Sequence, residues 1–367
     1  MQTAAVLPAL GIGDALLMMI ASHQLKMEGY RVTTFHDALF ELAPWFPGHD
    51  FQPVPPSDKL THAFSSFDLL LVENDNSPKI KQLLGAFRHS LAIFYPTYSS
   101  HKHAPLASQD RTFDKDLPMA DNIAEAIASL LDQYCARLGF ANSDSARQSK
   151  TEAKRPNEED HSRVGKADEE DRFGKVAANQ NSQNLSGRSI PAPSKENGLT
   201  PPANLNHRAH QRRVILHPTS RETAKNWRPN GFLAVANALK NKGYSPVFCV
   251  GPKELADWKF VEDKGFQLAD APTLSDLAAF IYESGFVIGN DSLIGHLASN
   301  LQIPTLIIAN DEKRMRLWRP GWLKGQLVLP PPYLPNWKFL RLKEKKWQHF
   351  ITSGQVLRRF EQLAGAL

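Results

Sequence analysis

Cysteine is nearly missing from this 367-residue chain: Cys135 and Cys249 are the only two, far apart and outside any metal-ligand spacing. Such a pair cannot staple a secreted scaffold, and it suits a reducing compartment and ordinary buried thiols. HExxH and paired CxxC spacings are lacking too, so neither a metal nor a cofactor is expected. Also absent is an unbroken apolar run able to span a bilayer. Ala4 to Ala21 comes nearest, but Asp14 sits in its middle, and Pro8, Gly11 and Gly13 interrupt any single helix. It has no basic leader of the signal-peptide kind. A buried strand, a tight turn and a buried helix account for the run, in a cytoplasmic protein without a transmembrane segment.

Hydrophobic residues make up 42% of the chain, enough for one or two full cores. The net charge of +5 admits anionic partners, and it is too mild to indicate nucleic acid. Residues 1–140 alternate short apolar runs with helical patterns. Strands are expected at Ala4–Leu7, Arg31–Phe35, Leu69–Val72 and Leu91–Phe94, and helices over Ala15–Glu28 and Met119–Leu138. Residues 213–310 repeat the alternation, with strands at Val214–Leu216, Pro246–Val250, Phe286–Ile288 and Thr305–Ile308. Such alternation argues for α/β layers around parallel sheets. From about 141 to 210 large apolar residues nearly vanish, which is the composition of a disordered insert or linker. A basic stretch with Trp318, Trp322 and Trp337 interleaved follows, and then a closing helix, about Gly354–Ala366.

Two strand ends carry the chemistry. After Phe286–Ile288 come Gly289-Asn290-Asp291-Ser292, and then the apolar face of a new helix. Asp291 or Ser292 is a natural N-cap, and the free N–H groups of a helix start favour an anion. After Val214-Ile-Leu-His217, the loop 218–229 holds Thr219, Ser220, Arg221, Lys225 and Arg228. Hydroxyls and a lysine at the end of a strand can hold a diphosphate. Near the start, Gly11-Ile-Gly13 begins a dinucleotide fingerprint, but Leu16 stands where the third glycine belongs. Asp37 could serve as its ribose-binding acid, which keeps a nicotinamide oxidoreductase as an alternative.

Gly11-Ile-Gly-Asp-Ala-Leu-Leu17, Thr219-Ser220 with Lys225-Asn-Trp227, and Asp291-Ser292 with His296-Leu-Ala298 together resemble glycosyltransferase family 9, the ADP-heptose:lipopolysaccharide heptosyltransferases. The resemblance implies the GT-B architecture, two Rossmann-like domains facing a cleft. Residues 1–140 would form the acceptor domain, 141–212 the polar insert, and 213–352 the nucleotide-sugar donor domain. The closing helix, 353–367, would pack back on the N-terminal domain. The implied activity is inverting, metal-independent transfer of a sugar, heptose from ADP-heptose, to a lipopolysaccharide core or related glycan.

By the same resemblance Asp14 is the general base and Lys225 holds the donor diphosphate. Read on its own, Asp14 equally suits a helix cap, and Lys225 a solvated charge. Gly13, Thr219, Ser220, Glu254, Asp291, Ser292, Leu293 and His296 complete the expected binding set. Glu254 would meet a ribose or base, or else complement a helix dipole. Leu293 departs from the family's glycine after the Asp-Ser pair, with Gly295 two positions later, which leaves another nucleotide sugar open as donor. The basic stretch 313–347 suits an anionic glycolipid acceptor or the inner membrane face, or a solvated face with structural tryptophans. Outside enzymes, the same features fit a nucleotide-binding or assembly protein that kept the fold without turnover.

Overall fold

Five residues, Thr3–Leu7, form β1, and the four apolar ones are buried. Every later strand of this lobe runs parallel to its neighbours: β2 (Arg31–Phe35), β3 (Asp50–Gln52), β4 (Leu69–Glu73), β5 (Leu91–Tyr95) and β6 (Arg111–Thr112), in the order β3-β2-β1-β4-β5-β6. Strands buried on both faces read as continuous apolar runs, which is why β4 and β5 stand out in the sequence. This is a computed structural model that describes residues 1–137, 193–331 and 346–366.

The second lobe repeats the plan with β7 (His210–His217), β8 (Ser245–Cys249), β9 (Gln267–Ala269), β10 (Ser284–Asn290), β11 (Thr305–Ile308) and β12 (Gln326–Val328). Read from β9, its order β9-β8-β7-β10-β11-β12 corresponds strand for strand to that of the first lobe. Both sheets therefore change direction at the same place, between β1 and β4 and between β7 and β10. Ligands of open parallel sheets bind outside the strand ends at such switch points. This is the α/β, GT-B arrangement expected above.

The helices are α1 (Ile12–Met27), α2 (Leu60–Phe64), α3 (Pro78–Phe87), α4 (Met119–Arg137), α5 (Pro229–Asn241), α6 (Leu255–Trp258), α7 (Phe260–Asp263), α8 (Leu274–Tyr282), α9 (Leu293–Asn300), α10 (Glu312–Trp318) and α11 (Ser353–Ala364). Gly29 and Gly243, just past α1 and α5, have positive φ of 90° and 79°, the conformation that stops a helix at low steric cost. Residues 1–131 with 193–367 form one compact unit; of the other, 132–192, the described part is the end of α4. One apolar cluster runs through both lobes, joining Leu16, Met19, Leu42 and Trp45 to Ile215, Ile294, Leu297 and Leu301. Trp45 also donates its indole N–H to Ser275 Oγ at 3.0 Å.

Two expectations change. The closing helix α11 packs on the second lobe, not back on the first. Its apolar stripe Val356, Phe360 and Leu363 fits the core of Phe232, Leu239 and Phe286, with Phe360 edge-on to Tyr244 and Phe286 at 5.1 and 5.0 Å. Lys242 pairs with Glu361 beside it. The polar insert also ends earlier than composition indicates. Leu199 and Leu205 join the shared core, Thr200 N–H donates to the Trp45 carbonyl at 2.7 Å, and Lys195 meets Asp121 at 3.0 Å. Residues 210–212 already belong to β7. These sparse apolar residues suffice because they land on a preformed core. Residues 141–192 lie outside the described residues.

Candidate active site

The turn after β1 leads straight into α1, and Asp14 lies in its first turn. Its carboxylate folds back over Gly11, where a Cβ would overlap it. The carboxylate thus lies over Gly11, the N-cap residue of α1, at the end of β1. Burial pushes the Asp14 carboxyl up to about 6, while the charges of Arg314 and then Arg221 hold it down and Asp291 pushes it up. Arg221 follows β7, Asp291 follows β10, and Arg314 sits on α10. Three corners of the second lobe therefore converge on a carboxylate of the first. Behind Asp14, at the end of β4, Glu73 is fully buried, and burial and then the Asp14 charge hold it well above the ordinary carboxylate range. It accepts the Ala9 N–H at 3.2 Å, which fixes the loop that presents Asp14.

The loop after β7 is held rigidly. Asn290, completely buried, accepts the Trp227 N–H at 3.0 Å and donates to the Pro218 carbonyl at 2.7 Å, so its amide clamps both ends. Trp227 donates its indole N–H to the Gln348 carbonyl at 3.1 Å, and Trp347 donates to Ala224 at 3.0 Å. Within the loop Lys225 meets Glu222 at 2.6 Å, with the lysine far less exposed than the glutamate. That contact with Lys225 holds the Glu222 carboxyl below its ordinary value, and Arg314 and Arg221 add smaller contributions. Lys225 therefore belongs to the same cluster as Asp14, with its charge already met. The Ser220 hydroxyl is used inside the loop, 2.6 Å from Asn226 Oδ1 and 2.9 Å from the Glu222 carbonyl, and Thr219 is buried. The Ser220 hydroxyl is thus engaged within the loop.

Ser292 occupies the N-cap of α9 without a side-chain bond to the helix, so the first-turn N–H groups there keep no side-chain partner. Asp291 does not cap either. Its carboxylate accepts from Arg314 Nε at 3.1 Å. His296 is buried, with its ring against Gly13 of the other lobe and Leu293 Cα beside it, at 3.6 and 3.9 Å from where a Gly13 Cβ would lie. Burial lowers the His296 pKa, and its Nδ1 has no hydrogen-bond partner among the described residues. Gly13 thus lies where the lobes meet, and a Cβ there would make only ordinary contact. Gly295 is no displaced phosphate glycine: a Cβ there would press on Ile307 Cδ1 at 2.6 Å, so it is bare for packing on β11.

Glu254 folds back over Gly251 at the end of β8, one strand away from the cluster. His217, its Nδ1 donating 2.7 Å to the Cys249 carbonyl, is driven down to about 4 by burial and is neutral. Cys249 is a buried free thiol pushed up to about 12. Asp37 accepts the Val54 N–H at 2.9 Å, a loop contact that leaves the dinucleotide reading without its acid. Asp114-Lys115-Asp116 is spelled like a metal clamp, but Asp114 accepts the Asp116 N–H and Asp116 meets Arg316 at 3.0 Å. Among the described residues no group of three His, Cys, Asp or Glu could hold a metal ion. In the basic stretch Trp318 lies under Arg314, and Trp322 donates to Lys195; Trp337 lies outside the described residues. No helix among the described residues is long and apolar enough to cross a membrane.

The family model of glycosyltransferase family 9 (heptosyltransferase) matches residues 172–320, which carry both phosphate-side corners and Arg314. Over those residues the chain is similar to glycosyltransferase family 9. Lipopolysaccharide heptosyltransferase 3 of Escherichia coli (strain K12) is 30% identical over 164 residues, 41% of this chain and 46% of that protein. The chain thus spans about half the length of the curated relatives it matches. The glycosyl transferase family 9 structure from Veillonella parvula DSM 2008 superposes with a TM-score of 0.64 at 15% identity, covering 100% of this chain and 98% of that one. E. coli heptosyltransferase WaaC with ADP superposes with a TM-score of 0.57 at 13% identity, covering 99% and 100%. At these identities the structural likeness establishes the fold. Of the residues that matter, Arg221, Glu222, Glu73, Asn290 and Arg314 were missing from the expected set. Arg221 and Arg314 had one available signal, basic residues just after a strand end.

Proposed function

We propose that this chain is an inverting family 9 glycosyltransferase that moves heptose from ADP-heptose to a lipopolysaccharide core or related glycan, without a metal. The observation that carries the reading is the convergence of Arg314, Arg221 and Asp291 on Asp14. A sugar transferase needs a base and a diphosphate site on opposite sides of one anomeric carbon. Asp14 takes the proton of the acceptor hydroxyl as its oxygen bonds to that carbon. The bond to the diphosphate breaks from the other side, and its electron pair leaves with the nucleoside diphosphate. Arg221, Lys225, Arg314 and the open N-terminus of α9 neutralise that leaving charge, the kind of contact worth about 2.7 to 4 kcal/mol each in a transition state. Glu254, at the end of β8, is placed for the nucleoside. The name of the curated relative supports heptose and lipopolysaccharide, and Leu293 makes the sugar the first point to test.

Incubating the protein with ADP-heptose and a core oligosaccharide should release ADP, and Asp14→Asn should bind ADP normally while losing release. Full release by that variant would remove Asp14 from the mechanism. A second reading, a nucleotide-binding protein without turnover, is favoured by the Lys225–Glu222 pair, which occupies the phosphate lysine. Tight ADP binding with no release from any ADP- or UDP-sugar would establish it instead.

A further inference from the structure

Two cavities lie side by side along the carboxyl edge of the first sheet. The smaller, about 230 Å³, touches the Asp14 turn through Ala9, Leu10 and Ile12, and reaches Asp75, Ser77 and Lys79. The larger, about 530 Å³, continues from Ser77 and Ile80 past the ends of β4 and β5. β1, β4 and β5 are consecutive in the sheet, so the larger cavity stands two strand spacings, about 10 Å, from the base. That is the reach of a short oligosaccharide, not of one ring.

Its lining sets two lysines and several polar side chains among apolar ones, Ile80, Leu84 and Ala104. Lys81 and Lys102 border it, and neither pairs with a carboxylate among the described residues. Lys81 belongs to α3, whose first turn holds no acidic residue, so nothing on this helix offsets the lysine charge near its N-terminus. The Ser77 hydroxyl, shared by both cavities, is buried and has no partner among the described residues. On the far wall His103 accepts the Ser99 N–H on Nδ1 at 2.9 Å, so its Nε2 carries the proton and donates to Asn76 Oδ1 at 2.7 Å. That bond turns the Asn76 amide oxygen toward the histidine and leaves its NH₂ group as a donor. Tyr95 and His103 supply ring surface, at 5.4 Å from each other, with Tyr98 stacked behind. Paired cations, amide donors and a ring wall are the groups that hold a phosphate on a sugar, the cations by charge-assisted bonds and the rings by covering apolar faces.

We propose that the larger cavity binds a phosphorylated sugar of the acceptor, set back along the glycan from the hydroxyl that Asp14 deprotonates. The acceptor role rests on the sugar-transfer reading above; the binding site itself does not.

The test titrates the full chain, saturated with ADP, with glucose 6-phosphate, glucose and inorganic phosphate by calorimetry or saturation-transfer NMR. Glucose 6-phosphate should bind at least about tenfold more tightly than either of the others, and Lys81→Ala/Lys102→Ala should weaken it by about tenfold or more. ADP affinity should stay unchanged in that variant. Lys102→Glu, on an exposed loop, should abolish glucose 6-phosphate binding and serves if the double variant folds poorly. Equal binding of glucose or of inorganic phosphate, or undiminished binding by the lysine variants, overturns the proposal. So does competition between glucose 6-phosphate and ADP. ADP release from the sugar donor, run on the same samples, separates the two ideas: lost sugar-phosphate binding with normal release sinks only this subsite, and the reverse sinks only the transfer reading.

Discussion

Arg314 donates its Nε hydrogen to Asp291 across 3.1 Å while its guanidinium stands over Trp318, 5.4 Å from the ring centre. Held from two sides, the arginine carries a fixed charge felt by Asp14, Glu222 and His296. One residue of α10 therefore links the corner after β10 to Asp14.

Arg314→Ala should reduce kcat/KM by about 10²- to 10³-fold, the usual effect of deleting one preorganised charge contact. Because Arg314 lowers the Asp14 pKa, the variant should also move the acidic limb of the rate profile to higher pH. Arg314→Lys should recover part of the rate, since charge remains but the fork to Asp291 is lost. An unshifted limb in Arg314→Ala would separate Arg314 from the base.

As the proposed base, Asp14 would work only as a carboxylate, and burial pushes it up to about 6. Rate should therefore climb as pH rises through about 6 and level off above it. Stability runs the other way. A carboxyl whose folded pKa exceeds its ordinary value of 3.8 contributes stability at low pH and loses it as pH rises toward 6. Asp14→Asn should melt higher than the parent at pH 7.5, with the gap closing near pH 4. Equal melting curves at both pH values would show that the carboxylate carries no such strain.

Glu222 occupies Lys225 before any donor arrives. Glu222→Gln should free the lysine and tighten ADP binding about two- to tenfold, a modest gain because Glu222 is largely exposed. Lys225→Ala should weaken ADP in either background. Unchanged ADP affinity in Glu222→Gln, read by calorimetry, would mean that the ion pair does not compete with the diphosphate.

Gly285 is the second residue of the long strand β10, and a Cβ there would overlap the Gln211 carbonyl oxygen of β7. The obstacle is backbone and cannot turn aside. Gly285→Ala should cost about 1–3 kcal/mol and lower the melting temperature. Gly295→Ala meets the far end of Ile307, which can move, and should cost less. The reverse ranking in denaturant titrations would contradict this account of β10 and β7.

The central strands were legible because buried parallel strands read as apolar runs, as in Leu69–Val72 and Leu91–Phe94. Asp14, Asp291, Ser292 and His296 were legible because a strand end followed by a helix start is a local pattern. Arg314 was not, since it meets Asp291 from 23 positions away, inside a stretch that reads as a solvated basic face. Nor could local sequence reveal that Ile307 lies over Gly295, or that Glu222 would take Lys225. The stripe on α11 announces an amphipathic helix, and only the shapes of Phe232, Tyr244 and Phe286 decide which sheet receives it.

Leu16, Met19, Leu42 and Trp45 share their burial with Ile294, Leu297 and Leu301. Dividing the gene between the lobes would leave each product with an oily seam facing water, ready to self-associate. Separately expressed halves should precipitate, and mixing them during refolding should rescue both. For an enzyme engineer, exchanging donor halves between relatives means transplanting that seam with the half.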